Sequence, residues 1–363
     1  MAAVRIALCL YYDKDIEKIL EGEKKLPYSN GEFSRKVYKF WKRIEMKAAE
    51  KVSSLPTSLQ TRVVKFIRPI DLETIKWTSD HANLLKLGST YTYKSILRWK
   101  TVGTIDRTQT AMKFSQNKNF DPETRFNMAC TYFLEDEVLA LWHGDEVLDR
   151  KRLSRNGRNA AVRFWVKRLK EGSCRKRPWK DMIDGYFQIL SVRRSDIRLR
   201  VSCFFPYLSW EGKKNYVRNL LCSNIARAYS DDLRLCMHAM DEAERVELFS
   251  EYHVHWLYYC LEWPFQSLFI DLANQLWSHI NADKFHAVLF HIIRFSILRG
   301  LECFDYVGLL KEFWHDSPDA FKENIMKRKK SFKVITEILN YDEKNASLPL
   351  PETLSEFMPK YWH

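Results

Sequence analysis

The sequence predicts an all-α protein: an N-terminal helical unit followed by an irregular α-solenoid of stacked helical hairpins. Three observations carry that expectation. Apolar residues recur at three- and four-residue steps along most of the 363 residues. Glycine and proline number only 11 each, which leaves little turn material for an all-β fold. The strand-to-helix glycine turns of α/β folds, GxGxxG among them, are missing. A hydrophobic fraction of 46% excludes a disordered chain, and an aromatic share of 14% suits short helices, because each large ring buries much area.

Residues 1–87 are expected to form the N-terminal helical unit. Within it, EFSRKVYKFWKRIEMKAAEKV aligns Phe33, Val37, Phe40, Trp41 and Ile44 on one stripe. Leu26-Pro27-Tyr28-Ser29 precedes this helix and Leu55-Pro56-Thr57-Ser58 precedes the next, each placing proline and a small hydroxyl residue ahead of a helix start. Residues 88–121, with GSTYTY, TVGTID and SQNKNFDP, read as an irregular connection of loop or short helices. From 122 to 340 helices follow closely, with breaks expected at Asn156-Gly157, Gly172, Pro178, Pro206, Gly212, Pro264, Gly300 and Pro318. A proline-containing tail occupies 341–363.

Internal similarity runs through the helical array. Asn127-Met128-Ala129, Tyr132 and Glu135-Asp136 are echoed by Asn224-Ile225-Ala226, Tyr229 and Asp231-Asp232. LANQLWSHINADKF and LLKEFWHDSPDAF match with one residue of slippage and align Trp277 with Trp314. Such correspondences predict a drifted helical repeat. TRFNMACTYFLEDEVLALW, residues 124–142, resembles the ankyrin pattern, and residues 221–237 give a poorer copy. Thr124 falls at the family's threonine, Asn127 at its histidine and Ala129-Cys130 at its alanine pair. Arg125 stands where the family has a proline and Phe133 where it has a glycine. The resemblance implies paired helices and a protein-binding scaffold. Residues 124–142 admit two readings: two helices, favoured by the acidic pair Glu135-Asp136 at a helix N-terminus, or one helix striped by Phe126, Cys130, Leu134, Val138 and Leu141.

Charge is the most uneven feature of the chain. Residues 150–200 hold seventeen Lys and Arg against four acids, an excess equal to the whole net charge of +13. Within this segment NAAVRFWVKRLK sets Val162, Trp165, Val166 and Leu169 on an apolar face and Arg163, Lys167 and Lys170 on another. The candidate contact zone for an anionic partner comprises Arg150, Lys151, Arg152, Arg155, Arg158, Arg163, Lys167, Lys170, Arg175, Lys176 and Arg177. An acidic protein partner is expected there. A nucleic acid or an anionic membrane surface would meet the same face, and a solvated face paired with acids elsewhere in the fold needs no partner. Lys327-Arg328-Lys329-Lys330 resembles a short nuclear-import signal and also suits a helix C-terminus.

No motif for catalysis, nucleotide binding or a cofactor is present, so the expectation is a non-enzymatic protein without cofactors. His253, His255 and Cys260, with His279, His286 and His291 nearby, lack the adjacent ligand pairs of a zinc finger and read as packed core-edge residues. Trp41, Trp142, Trp165, Trp277 and Trp314 read as staples between helices. The eight cysteines are scattered without a CxxC pair, as in reduced intracellular proteins. No apolar run reaches the length of a membrane span and no convincing signal peptide opens the chain, so a cytoplasmic or nuclear location is expected.

Overall fold

Helices dominate the described residues. The computed structural model describes residues 2–22, 34–85, 90–144, 148–154, 159–170, 200, 202–222, 230–342 and 349–355. Among these no strand forms, and the β geometry is a single antiparallel bridge between Trp99 and Ile105. The first helices are α1 (Ala2–Tyr11), α2 (Lys14–Gly22), α3 (Arg35–Lys51), α4 (Thr57–Asp80) and α5 (Ala82–Leu85). There follow α6 (Arg107–Gln116), α7 (Pro122–Thr131), α8 (Glu135–His143), α9 (Arg150–Ser154) and α10 (Ala160–Lys170). Next come α11 (Trp210–Cys222), α12 (Ser230–His238), α13 (Glu242–Glu251), α14 (His253–Cys260) and α15 (Phe269–Leu276). The last are α16 (Ala282–Ile292), α17 (Tyr306–Asp316), α18 (Asp319–Lys327), α19 (Lys329–Leu339) and α20 (Leu350–Ser355).

The chain divides into two compact units. The first comprises Met1–Asp71, Thr101–Gly103 and Ser250–His363, and the second Leu72–Lys100 and Thr104–Phe249. In the first unit α3 opens at Ser34, whose side chain accepts from Val37 N, and buries Trp41, Ile44 and Ala48. Leu26-Pro27-Tyr28-Ser29 lies outside the described residues, whereas Leu55-Pro56 does precede α4. The core of this unit gathers Phe269, Phe285, Leu289, Ile292 and Phe313 around an aromatic cluster. Phe285 packs on Phe313 at 5.1 Å, Phe321 at 5.7 Å and Trp314 at 6.0 Å, and Trp277 stacks on Phe313 at 5.2 Å. The two tryptophans aligned in the sequence thus staple successive helices through shared phenylalanines.

Breaks expected at Pro264, Gly300 and Pro318 are realised. Pro264 follows Trp263 through a cis bond, Gly300 has φ +62°, and Pro318 stands at the N-cap of α18. Gly212 is a correction: it lies inside the first turn of α11, where Gly212 N donates to Ser209 Oγ and helix starts tolerate glycine. Asn156-Gly157, Gly172 and Pro178 fall outside the described residues.

In the second unit, residues 124–142 form two helices. Asp121 caps α7 by accepting from Thr124 N, and Pro122 occupies its first turn, so the helix opens two residues before Thr124. It ends with Phe133 at φ +52°, Phe133 N donating to Cys130 O and Leu134 N to Ala129 O. These are the two bonds of a glycine-type helix stop, made here by phenylalanine. The reason is tertiary: the Phe133 ring meets Phe204 at 4.6 Å and Phe164 and Trp165 at 5.9 Å. Phe133→Gly is therefore expected to destabilise the protein, since about 1 kcal/mol of relieved strain is outweighed by about 2 kcal/mol or more of lost aromatic packing. A urea midpoint equal to or above that of the wild type would refute this.

Candidate functional site

The basic face begins with the way α10 is held. Asn159 is fully buried. Its Oδ1 accepts from Ala161 N at 3.1 Å and Val162 N at 3.3 Å, capping the helix. Its amide donates to Thr131 Oγ1 at 3.1 Å, tying the start of α10 to the end of α7. Val162, Trp165, Val166 and Leu169 are buried against Phe126, Val138 and Trp142. With that stripe fixed inward, the helical period turns Lys167 and Lys170 to solvent and leaves Arg163 half-buried. Burial holds the Arg163 guanidinium below its ordinary pKa. The other basic residue of the helix, Arg168, faces inward and is buried.

Helix α9 packs beside α10 and carries three more of the expected residues. Arg150 lies over the Trp142 ring at 4.6 Å and donates to Trp142 O at 2.9 Å. Arg152 reaches Glu123 at 3.5 Å, and Lys151 is exposed. Thus Arg150, Lys151 and Arg152 lie on α9 and Arg163, Lys167 and Lys170 on the helix packed beside it, although Arg150 and Arg152 already have protein partners. Arg155, Arg158, Arg175, Lys176 and Arg177 lie outside the described residues.

Position 200, the far end of the basic segment, is anchored in the same unit. Arg200 donates to both carboxylate oxygens of Asp231, at 3.2 and 2.9 Å, and its Nε lies 3.7 Å from Asp232. Its guanidinium also covers the Tyr132 ring at 4.5 Å. Arg107 pairs with Asp80 and approaches Asp231 at 3.6 Å. Asp232 accepts from Ser202 and from Tyr216 Oη at 2.7 Å. His81 contacts Trp77 O through Nδ1 at 2.6 Å and Tyr132 Oη through Nε2 at 2.8 Å. Most of these groups are buried: Asp80 is 7% exposed, Arg200 4%, His81 and Arg107 1% and Asp232 0%, while the Asp231 side chain keeps 15%.

The electrostatics of the cluster follow from burial and pairing. Burial opposes the charge on Asp231, but Arg200 and then Arg107 overcome it and hold the carboxyl below its ordinary pKa. Burial and then Arg107 lower His81 to about 3, so its ring is neutral. Burial pushes Tyr132 up to about 12. A neutral His81 that donates from Nδ1 to Trp77 O accepts from Tyr132 at Nε2, and both polar groups are satisfied. Largely buried and mutually paired, the cluster is an internal brace that joins α4, α6, α7 and α12.

Sequence reasoning missed this brace. Asp231-Asp232 reads correctly as the acidic opening of α12, but nothing local shows that arginines 31 and 124 residues away complete it. The remaining candidates of the sequence have separate places. His253 contacts Ser250 O and Lys284, His286 contacts Ser331, and His291 stacks on Tyr258 at 4.2 Å. Among the described residues no three His, Cys, Asp or Glu converge as metal ligands. Cys130, Cys236 and Cys260 are buried free thiols, whereas Cys9 and Cys203 are exposed. No helix among the described residues is long and apolar enough to cross a membrane.

Comparison with protein-family models, with curated proteins and with solved structures returns no match.

Proposed function

We propose that the chain is a non-catalytic scaffold, an irregular α-solenoid of ankyrin-like helical hairpins, whose α9–α10 face binds an acidic segment of a protein partner. The carrying observation is the orientation of α10. Its apolar stripe is locked in the core while Lys167 and Lys170 point to solvent on the face that carries half-buried Arg163, and the neighbouring α9 exposes Lys151. Among the described residues no carboxylate lies within 4.0 Å of the Lys151 or Lys167 ammonium. Cations presented on a rigid helix steer an acidic partner and fix its register with little ordering cost.

The test uses fluorescence anisotropy of the full chain with a labelled poly-glutamate peptide and, in parallel, a labelled DNA duplex. The peptide is expected to bind, and the variant carrying Arg163→Glu, Lys167→Glu and Lys170→Glu is expected to weaken it by about tenfold or more. Unchanged peptide binding by the triple variant would reject the face. Duplex binding that exceeds the peptide's and falls steeply with salt would replace the protein partner with nucleic acid.

A further inference from the structure

We propose that the first unit carries a separate binding site for a small amphipathic anion, in the groove between the start of α4 and the turn that leads into α17. The cavity measures about 850 Å³, within the range of small-molecule sites. Phe66, Leu301, Phe304, Val307 and Leu350 give it apolar walls, and Arg62, Lys65 and Lys311 supply positive charge. Such a combination suits a ligand with one anionic head and a short apolar body.

The charge balance of the groove points to an anion. Arg62 is exposed, with its guanidinium 5.7 Å from the Phe66 ring centroid, which leaves the planar N–H edge able to bind an oxyanion. Lys311 donates to Tyr341 O at 3.0 Å. Among the described residues neither Arg62 nor Lys311 has a carboxylate within 4.0 Å. Lys65 comes no nearer than 3.8 Å to Glu302, which is bonded at 2.8 Å to Lys42. The other lining acid among the described residues, Asp305, is committed to capping α17, where its Oδ1 accepts from Gly308 N at 2.7 Å. A Cβ at position 308 would lie 2.3 Å from Asp305 Oδ2, so the cap depends on glycine there. Among the described lining residues both acids have partners, and Arg62 and Lys311 remain without a carboxylate.

The walls are also preformed. Arg68 donates to Gly300 O at 2.6 Å and to Arg299 O at 2.7 Å, fixing the turn at Gly300 against α4. A rigid cationic groove binds without the ordering cost that a flexible loop would carry. The head group is any carboxylate or phosphate of suitable size, and its source is an outcome of the test.

Isothermal titration calorimetry of the full chain would compare decanoate, decyl phosphate, decyltrimethylammonium and acetate, each below its aggregation threshold. One or both decyl anions are expected to bind at a single site, with acetate and the decyl cation giving no saturable heat. Tighter decanoate binding would identify a carboxylate ligand, and tighter decyl phosphate binding a phosphate ligand. Arg62→Glu and Lys311→Glu are each expected to weaken the bound anion by about tenfold or more, the loss of a charge-assisted hydrogen bond. Val307→Trp, which fills the groove without altering charge, weakens it as well. Lys167→Glu, on the α10 face, leaves it unchanged, so failure here is separable from failure of the scaffold reading. Equal binding of the decyl cation, or affinities within about twofold of wild type for both charge variants, would overturn the proposal.

Discussion

Replacing Arg107 with alanine is expected to destabilise the protein by about 3–5 kcal/mol, the cost of leaving a buried carboxylate without its cation. Asp80 and Arg107 side chains are each 1% exposed, so water cannot replace the lost partner. Asp231 would keep Arg200 but lose the 3.6 Å approach of Arg107. The pair itself need not be worth that much. Arg107→Met combined with Asp80→Leu removes both charges and is expected to recover most of the loss, since a well-packed apolar pair often equals a buried ion pair. Urea unfolding of the single and double variants checks both statements. A single variant within about 1 kcal/mol of the wild type would show that the brace is not closed to solvent.

Acidification is expected to weaken the fold below about pH 6.5, at up to about 1.4 kcal/mol per pH unit from His81 alone. Its pKa falls from 6.5 to about 3 through burial and the nearby Arg107. Between these values the unfolded chain takes up a proton that the folded chain refuses. The stability contributed by His81 is therefore complete above the unfolded value and lost as pH falls toward the folded one. Burial lowers His291 to about 4, which adds a second contribution of the same sign. Asp231, held below its ordinary value, loses its contribution only in stronger acid. Glu73, raised by burial, acts in the opposite sense and gains stability as pH falls. Urea midpoints at about pH 7 and about pH 5 should differ markedly in the wild type and less in His81→Gln. A midpoint shift no smaller in His81→Gln than in the wild type would mean that the fold does not refuse the His81 proton.

The residues that sequence reading placed well are those whose roles are set within a few turns of helix. The α3 stripe of Trp41 and Ile44 and the α10 stripe of Val162, Trp165, Val166 and Leu169 face inward as their spacing requires. The break between α7 and α8 follows the acidic start at Glu135-Asp136, even though Phe133 occupies the left-handed position. Of the candidate contact residues, Lys151, Lys167 and Lys170 are exposed. Arg150 and Arg152 illustrate what spacing leaves open. Whether a surface arginine is free depends on a tryptophan or a glutamate that only folding brings to it.

By itself the sequence determined the helical class and the inward side of α3 and α10, because a 3.6-residue period acts over a few positions. It also determined that the positive charge is concentrated in residues 150–200. Tertiary structure alone decided that Met1–Asp71 shares a unit with Ser250–His363, that Asp80, Arg107, Arg200 and Asp231 meet, and that a cationic groove forms beside α4. The physical reason is range. Burial and ion pairing act between side chains a few ångströms apart, whatever their separation along the chain, and a single sequence carries no local mark of which distant partner will arrive.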